Sequence, residues 1–182
     1  KVIKPGGVLL DIGSNDGTLL DIAEKNGMEV WGVEPSDALK DASLNIKEKT
    51  VNMFFGSSEC DQFFQKKKVK FDVITAISMF YDISEPLKFI EKARDLLAPD
   101  GLILIEVNYA KSFFERQNVD MLGQEHLIYY FIETFDDLIS KANLFINDAY
   151  LTDMNGGNIT FIISRMDKKS RKYLSLANEE KS

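Results

Sequence analysis

Residues 8–20, VLLDIGSNDGTLL, set two carboxylates around a glycine-rich turn that reads Asp11-x-Gly13-x-Asn15-x-Gly17, with Asp16 inside it. An apolar run precedes the turn and a helical spacing follows, so the segment reads strand, turn, helix. Glycine lets a backbone approach a ligand closely, and the amides that open a helix are electropositive. A dinucleotide would use the same device, so the turn by itself does not choose a ligand. Charge chooses. At ~4 Å and an effective dielectric of about 20, a like-charge contact is worth about 4 kcal/mol, so acids here repel a pyrophosphate. Asp11 and Asp16 suit instead a ligand with a positive amino group, such as the methionine part of S-adenosylmethionine. Glu34 closes the next apolar run about twenty residues on, where a carboxylate can accept both hydroxyls of a ribose. The competing role for either aspartate alone is an acid at a helix N-terminus, favourable to the macrodipole.

Other residues carry two readings each. In Phe55-Gly56-Ser57-Ser58, Ser57 either hydrogen-bonds an adenine or caps a helix. His126 is the only histidine, and its type alone fits a structural role as well as a chemical one. Tyr129, Tyr130 and Phe131 read as a substrate-lining cluster or as an aromatic helix start packed on a sheet. Asn155-Gly156-Gly157 reads as the border of a substrate or as a plain turn. Lys66–Lys68 with Lys70 read as a solvated helix end. Cys60, the single cysteine, has no thiol partner and reads as inert.

The elements that position these residues alternate in type. Val8–Ile12, Glu29–Val33, Val51–Phe55, Phe71–Ile77 and Leu102–Val107 read as strands. Helices are predicted over Thr18–Lys25, from Ser36 toward Ser43, over Glu59–Gln65, and from Ser84 to the Pro99-Asp100-Gly101 turn. Such alternation implies parallel βαβ units with helices on both faces. The rhythm then breaks. A helix near Thr134–Ala142 leads to strands at Phe145–Leu151 and Ile159–Ser164, which a short Gly turn makes antiparallel. Residues 1–166 read as one α/β domain, and 167–182 as a polar tail forming a frayed surface helix.

Composition narrows the classes. The 182 residues are 45% hydrophobic and 28% charged, which is globular rather than disordered. A formal net charge of −7 argues against nucleic acid or an anionic membrane as partner, so a small-molecule substrate is expected. One thiol cannot form an internal disulfide or a cysteine zinc knuckle; no metal is expected, and a reducing cytoplasm fits. No apolar run approaches 18 residues, and the KVIKPGG start has no signal-peptide character. Without an initiator Met, the chain reads as an excerpt of a longer polypeptide whose flanking domains are absent.

Through DIGSNDG, GVEPS, FDVITA and APDGLILIE, in that order over about two-thirds of its length, the chain resembles the class I S-adenosylmethionine-dependent methyltransferases. The resemblance implies a three-layer, Rossmann-like, seven-stranded sheet in the order 3-2-1-4-5-7-6, with strand 7 antiparallel. It assigns cofactor contacts to Asp11, Gly13, Ser14, Asn15, Asp16, Gly17, Glu34, Pro35, Ser57, Ala76 and Ile77. GQEHLIYYF (Gly123–Phe131) and MNGGNITF (Met154–Phe161) are further similar to the nucleotide-sugar C-methyltransferases, which methylate a ring carbon of a keto-sugar nucleotide. That likeness implies His126 as catalytic base with Glu125 beside it, and Tyr129, Tyr130, Asn155 and Gly156 against the substrate. Gly123 stands where that family has Tyr, and Ile77-Ser78 where it has an Arg-Asn-like pair. Rival expectations are O- or N-methylation of another small molecule, a non-catalytic cofactor-binding module, and a nicotinamide dehydrogenase.

Overall fold

Short apolar runs bounded by turns become the strands. The computed structural model describes residues 5–117, 126–153 and 157–181. Strands β1 (Val8–Ile12), β2 (Glu29–Val33) and β4 (Phe71–Ile77) take the bounds their apolar runs predict. With β3 (Thr50–Val51), β5 (Leu97–Asn108), β6 (Phe145–Thr152) and β7 (Asn158–Ser164) they form one seven-stranded sheet, ordered β3-β2-β1-β4-β5-β7-β6. β1 runs parallel to β2 and β4, and β2 to β3, whereas β7 is antiparallel to both β5 and β6. The helices are α1 (Thr18–Lys25), α2 (Leu44–Lys49), α3 (Ser58–Lys67), α4 (Pro86–Leu96), α5 (Ala110–Arg116), α6 (Ile132–Lys141) and α7 (Arg171–Glu180). This is the mixed α/β sheet expected of the Rossmann-like fold. The chain divides into two compact units: Lys1–Ala76 with Lys92–Leu102, and Ile77–Glu91 with Ile103–Ser182.

In the first unit, Leu10, Ile12, Leu20, Val33, Ile46 and Phe71 are buried together as the core. α1 starts at Gly17, whose φ of 77° is left-handed, and a Cβ there would stand 2.4 Å from Ile46 Cγ2. Gly17 is therefore needed for α2 to pack. Trp31 on β2 donates its Nε1 to Glu29 and meets the Phe63 and Phe64 rings of α3 at 6.1 and 6.4 Å. Lys67 Nζ lies 5.6 Å from the Trp31 ring centroid.

Two expectations in this unit fail for identifiable reasons. The third strand stops after Val51 instead of running to Phe55, because Asn52 turns its Nδ2 to Glu34 O at 2.8 Å. The chain then leaves the sheet and Phe54 is exposed. The helix from Ser36 is one 3-10 turn, Asp37–Asp41, and Ser43 does not end it but starts α2 by accepting Ile46 N at 3.3 Å. Two capping serines seven residues apart make two short elements where one was expected.

In the second unit, Phe80, Phe135, Phe161 and Ile105 are fully buried, with Phe135 and Phe161 stacked at 4.2 Å. Emptying such a site costs about 3–5 kcal/mol for a Phe→Ala change. α4 begins at Pro86 rather than Ser84, since proline suits the first helical position. α6 begins at Ile132, two residues before the expected Thr134. Thr134 Oγ1 accepts Phe131 N at 3.2 Å, while the Glu180 carboxylate accepts Ile132 N and Glu133 N at 2.8 and 3.1 Å. Glu180 closes α7, so the polar tail is tied down. Ser170 caps that helix through Tyr173 N and donates to Asp148 at 2.7 Å, and Tyr173 is buried.

β5 crosses the unit boundary and starts at Leu97, five residues before the strand the apolar run predicts. Pro99 and Asp100 are exposed at this end, where a missing N–H is tolerated. Among the described residues no helix is long and apolar enough to cross a membrane.

Candidate active site

Two polar clusters hold the residues singled out above, one in each unit. In the first, Asp11 ends its apolar strand almost completely buried, and its Oδ1 accepts the Thr75 hydroxyl of β4 at 2.6 Å. Burial pushes its carboxyl up to about 7; the Thr75 hydrogen bond opposes that rise and the nearby Glu34 charge adds to it. A carboxylate so deprived of water gains most from a cation.

Glu34, also buried, ties the turn to the end of β2. Its Oε2 accepts Asn15 N and its Oε1 accepts Ser36 N, both at 2.8 Å. Each oxygen keeps a second lone pair, so the carboxylate can still accept two hydroxyl protons. Gly13 N and Ser14 N both bond Val33 O, which fixes the turn against β2. Ser14 Oγ is buried with no hydrogen-bond partner among the described residues. A Cβ on Gly32 would lie 2.5 Å from Thr50 Oγ1 and 2.9 Å from Ser14 Oγ, so only glycine fits β2 here.

Asp16 is placed differently from Asp11. It is exposed, and its Oδ1 accepts Thr18 N at 3.0 Å, a bond that holds its carboxyl below the usual range. Its contacts are those of an acid serving the start of α1. Ser57 likewise caps α3, accepting Cys60 N at 3.2 Å, and its hydroxyl also hydrogen-bonds the Glu59 carboxylate. Pro35 is half-buried, Ala76 fully buried and Ile77 exposed. Cys60 is buried, which pushes its thiol up and keeps it protonated.

The second cluster gathers on one face of β5 and β7. Opposed across the ladder are Glu106 and Thr160, and Asn108 and Asn158. Glu106 is buried; its Oε1 accepts Ser78 Oγ at 3.0 Å and Asn158 Nδ2 at 3.1 Å, and its Oε2 accepts Thr160 Oγ1 at 3.2 Å. Asn108 Nδ2 stands 3.0 Å from His126 Nδ1. The His126 ring lies 4.3 Å from that of Tyr81, whose carbonyl accepts Leu127 N and Ile128 N and whose hydroxyl donates to Ser78 O at 2.8 Å. Ser78 itself sits at a φ of 54°, an uncommon left-handed turn directly after β4.

The aromatic pair divides. Tyr129 is half-buried, 5.2 Å from the Phe113 ring and 6.1 Å from His126. Tyr130 lies in the core between Phe80 and Phe135, and burial drives its phenol far up. Glu125, Asn155 and Gly156 lie outside the described residues, as does Gly123. Sequence reasoning passed over Glu106, Asn108 and Asn158, and met Ser78 only as a departure from the related family's pair. The available signal was a carboxylate and an amide in Glu106-x-Asn108 within an otherwise apolar strand, matched by Asn158-x-Thr160 two strands later.

Comparison with known proteins fits this arrangement. The family described as "Methyltransferase domain" matches residues 1–148. The chain is 25% identical over 154 residues to the C-methyltransferase NovU of Streptomyces niveus, covering 85% of this chain and 36% of that protein. It is 30% identical over 125 residues to the ubiquinone biosynthesis O-methyltransferase of Histophilus somni, covering 66% of this chain and 52% of that one. The chain thus spans a third to a half of the length of these relatives. Among solved structures, magnesium protoporphyrin IX methyltransferase from Synechocystis with bound S-adenosylhomocysteine superposes with a TM-score of 0.66 at 12% identity, over 89% of this chain and 75% of that one. A dry acid and a diol-accepting carboxylate fit the ammonium and ribose of S-adenosylmethionine, and the chain belongs to the methyltransferase domain family, as an S-adenosylmethionine-dependent member with the Rossmann-like fold.

Proposed function

We propose that the domain transfers a methyl group from S-adenosylmethionine to a small molecule, and that the acceptor atom is a carbon beside a ketone in a sugar nucleotide. The observation that carries the carbon acceptor is His126, held at its Nδ1 by Asn108 beside the buried Glu106 cluster. An imidazole titrates near neutrality and is the side chain suited to taking a proton from such a carbon.

When bound, S-adenosylmethionine supplies an electrophilic methyl group. Asp11 receives the ammonium, Glu34 accepts the ribose hydroxyls, and the turn Gly13, Ser14, Asn15 and Gly17 frames them. Asp16 contributes charge at the mouth of this turn while serving α1. Pro35, Ser57, Ala76 and Ile77 border the nucleoside. His126 takes the proton from the acceptor carbon, leaving the electron pair on the enolate. Tyr129 borders the acceptor, and Tyr130 backs it from the core. The likeness to NovU supports carbon as the acceptor.

The likeness to the ubiquinone O-methyltransferase supports a second reading, transfer to a hydroxyl. Incubation with keto-sugar nucleotides, S-adenosylhomocysteine and heavy water separates the two. Deuterium entering beside the ketone, and failing to enter with His126→Ala, is expected. Absent exchange, together with undiminished methylation of a phenol by the Ala variant, makes hydroxyl transfer the function.

A further inference from the structure

An imidazole is a base only at the nitrogen that lacks a proton, so the partner of Nδ1 decides whether Nε2 can act. As placed, the Asn108 amide points its NH2 at Nδ1, which would leave the proton on Nε2 and no basic nitrogen toward an acceptor. That orientation also strands polar atoms. Asn108 Oδ1 and Asn158 Oδ1 are both buried with no hydrogen-bond partner among the described residues. A lone buried acceptor is costly, and two on directly opposed residues point to one cause.

A half-turn of the Asn108 amide removes it. Amide oxygen and nitrogen are nearly the same size and exchange places without moving any neighbour. Oδ1 then accepts Nδ1–H, and the NH2 becomes a donor beside Asn158, the residue opposed to it across the ladder. The Asn158 amide cannot turn to match, because its Nδ2 is committed to Glu106 Oε1 at 3.1 Å. Glu106 in turn accepts Ser78 and Thr160, so its orientation is fixed from two other sides. Thr152, paired with Asn158 on β6, carries a third buried polar atom with no hydrogen-bond partner among the described residues, so the strip left unsatisfied runs across β5, β7 and β6.

We propose that Asn108 is a positioning residue that holds His126 as its Nδ1–H tautomer, and that Asn158 and Glu106 hold Asn108 in the orientation this requires. The proposal rests on His126 being the base, yet its central claim is about proton placement and is read without turnover. Among the groups facing the ring are the Tyr81 and Tyr129 side chains and the Asn108 amide.

With one histidine in the chain, 15N-labelled histidine gives a single imidazole whose two nitrogens report the tautomer directly. A protonated Nδ1 and an unprotonated Nε2 in the neutral ring are expected. Asn108→Asp keeps the acceptor, so the tautomer is expected to persist while the titration midpoint moves to higher pH. Asn108→Leu is expected to lose the Nδ1–H preference and to slow deuterium exchange into the keto-sugar nucleotide about tenfold to a hundredfold with KM unchanged. Asn158→Leu removes the far end of the relay and provides the same readout if the Asn108→Leu chain does not fold. A ring protonated at Nε2 in the unsubstituted chain overturns the proposal, as does a tautomer that ignores both leucine variants. If the tautomer is as expected but His126→Ala still exchanges deuterium, the base assignment fails while the placement of the proton stands.

Discussion

The Asp11–Glu34 end of the first unit and the Glu106–His126 end of the second solve the same problem by different means. In the first, the two acids stand at the ends of the neighbouring strands β1 and β2 beside one glycine turn, held chiefly by backbone amides and one hydroxyl. In the second, the polar atoms come from β5, β7 and two turns far apart in sequence, and side chains hold side chains. A site built on a local backbone tolerates change in the rest of the chain. One built on a side-chain relay fails as a unit, because removing one partner strands the next. The first suits a common cofactor, the second a particular acceptor.

Substitutions sharpen this contrast, beginning with the largest effect. His126→Ala is expected to reduce deuterium exchange 10²–10⁴-fold, roughly the contribution of a positioned base, while calorimetry shows S-adenosylhomocysteine binding unchanged. Weakened binding of that ligand would break the separation of the two ends.

Asp11→Asn is expected to trade binding for stability. The buried carboxyl, raised from 3.8 to about 7, binds a proton more tightly in the folded chain than in the unfolded one. Its protonated form therefore favours folding at low pH, and that advantage fades as pH rises from about 4 to 7. Above pH 7 the ionised acid costs on the order of 4 kcal/mol, which the Asn variant recovers as a higher melting temperature at pH 8. The unsubstituted chain should bind S-adenosylhomocysteine more weakly at pH 6 than at pH 8, because the ammonium must then displace a proton. A pH-independent affinity would show that the ammonium does not meet Asp11.

Gly17→Ala should cost about 1–3 kcal/mol in denaturant unfolding, through the left-handed backbone and the Ile46 contact together. Glu180→Gln is the mildest. It keeps one acceptor oxygen at the start of α6 and turns an NH2, which cannot accept, toward the other amide, for a loss of about 1 kcal/mol in urea melts.

The same contrast explains what could be read from sequence. β1, β2, β4 and α1 were legible because each is fixed by its own apolar spacing and its own turn. So were Asp11 and Glu34, which lie at the ends of those strands. The length of β3 was not, because one side chain, Asn52, reaches a carbonyl eighteen residues away and ends the strand. α5 was passed over, and α6 was started late because its cap, Glu180, stands 48 residues further on. The relay around His126 depends on the β5–β7 register, which no local pattern states. Asp16 and Ser57 illustrate the opposite case. Their capping contacts are local, and the plain helix-end reading described their contacts.

The packing of Trp31 against α3 has a practical consequence. It is the sole tryptophan and belongs to the first unit, while the sole histidine belongs to the second. Each half of the chain thus carries its own natural reporter, indole emission for one and an imidazole resonance for the other. Following both through a single denaturant titration would tell whether the halves melt in concert or in succession, with no label or engineered probe.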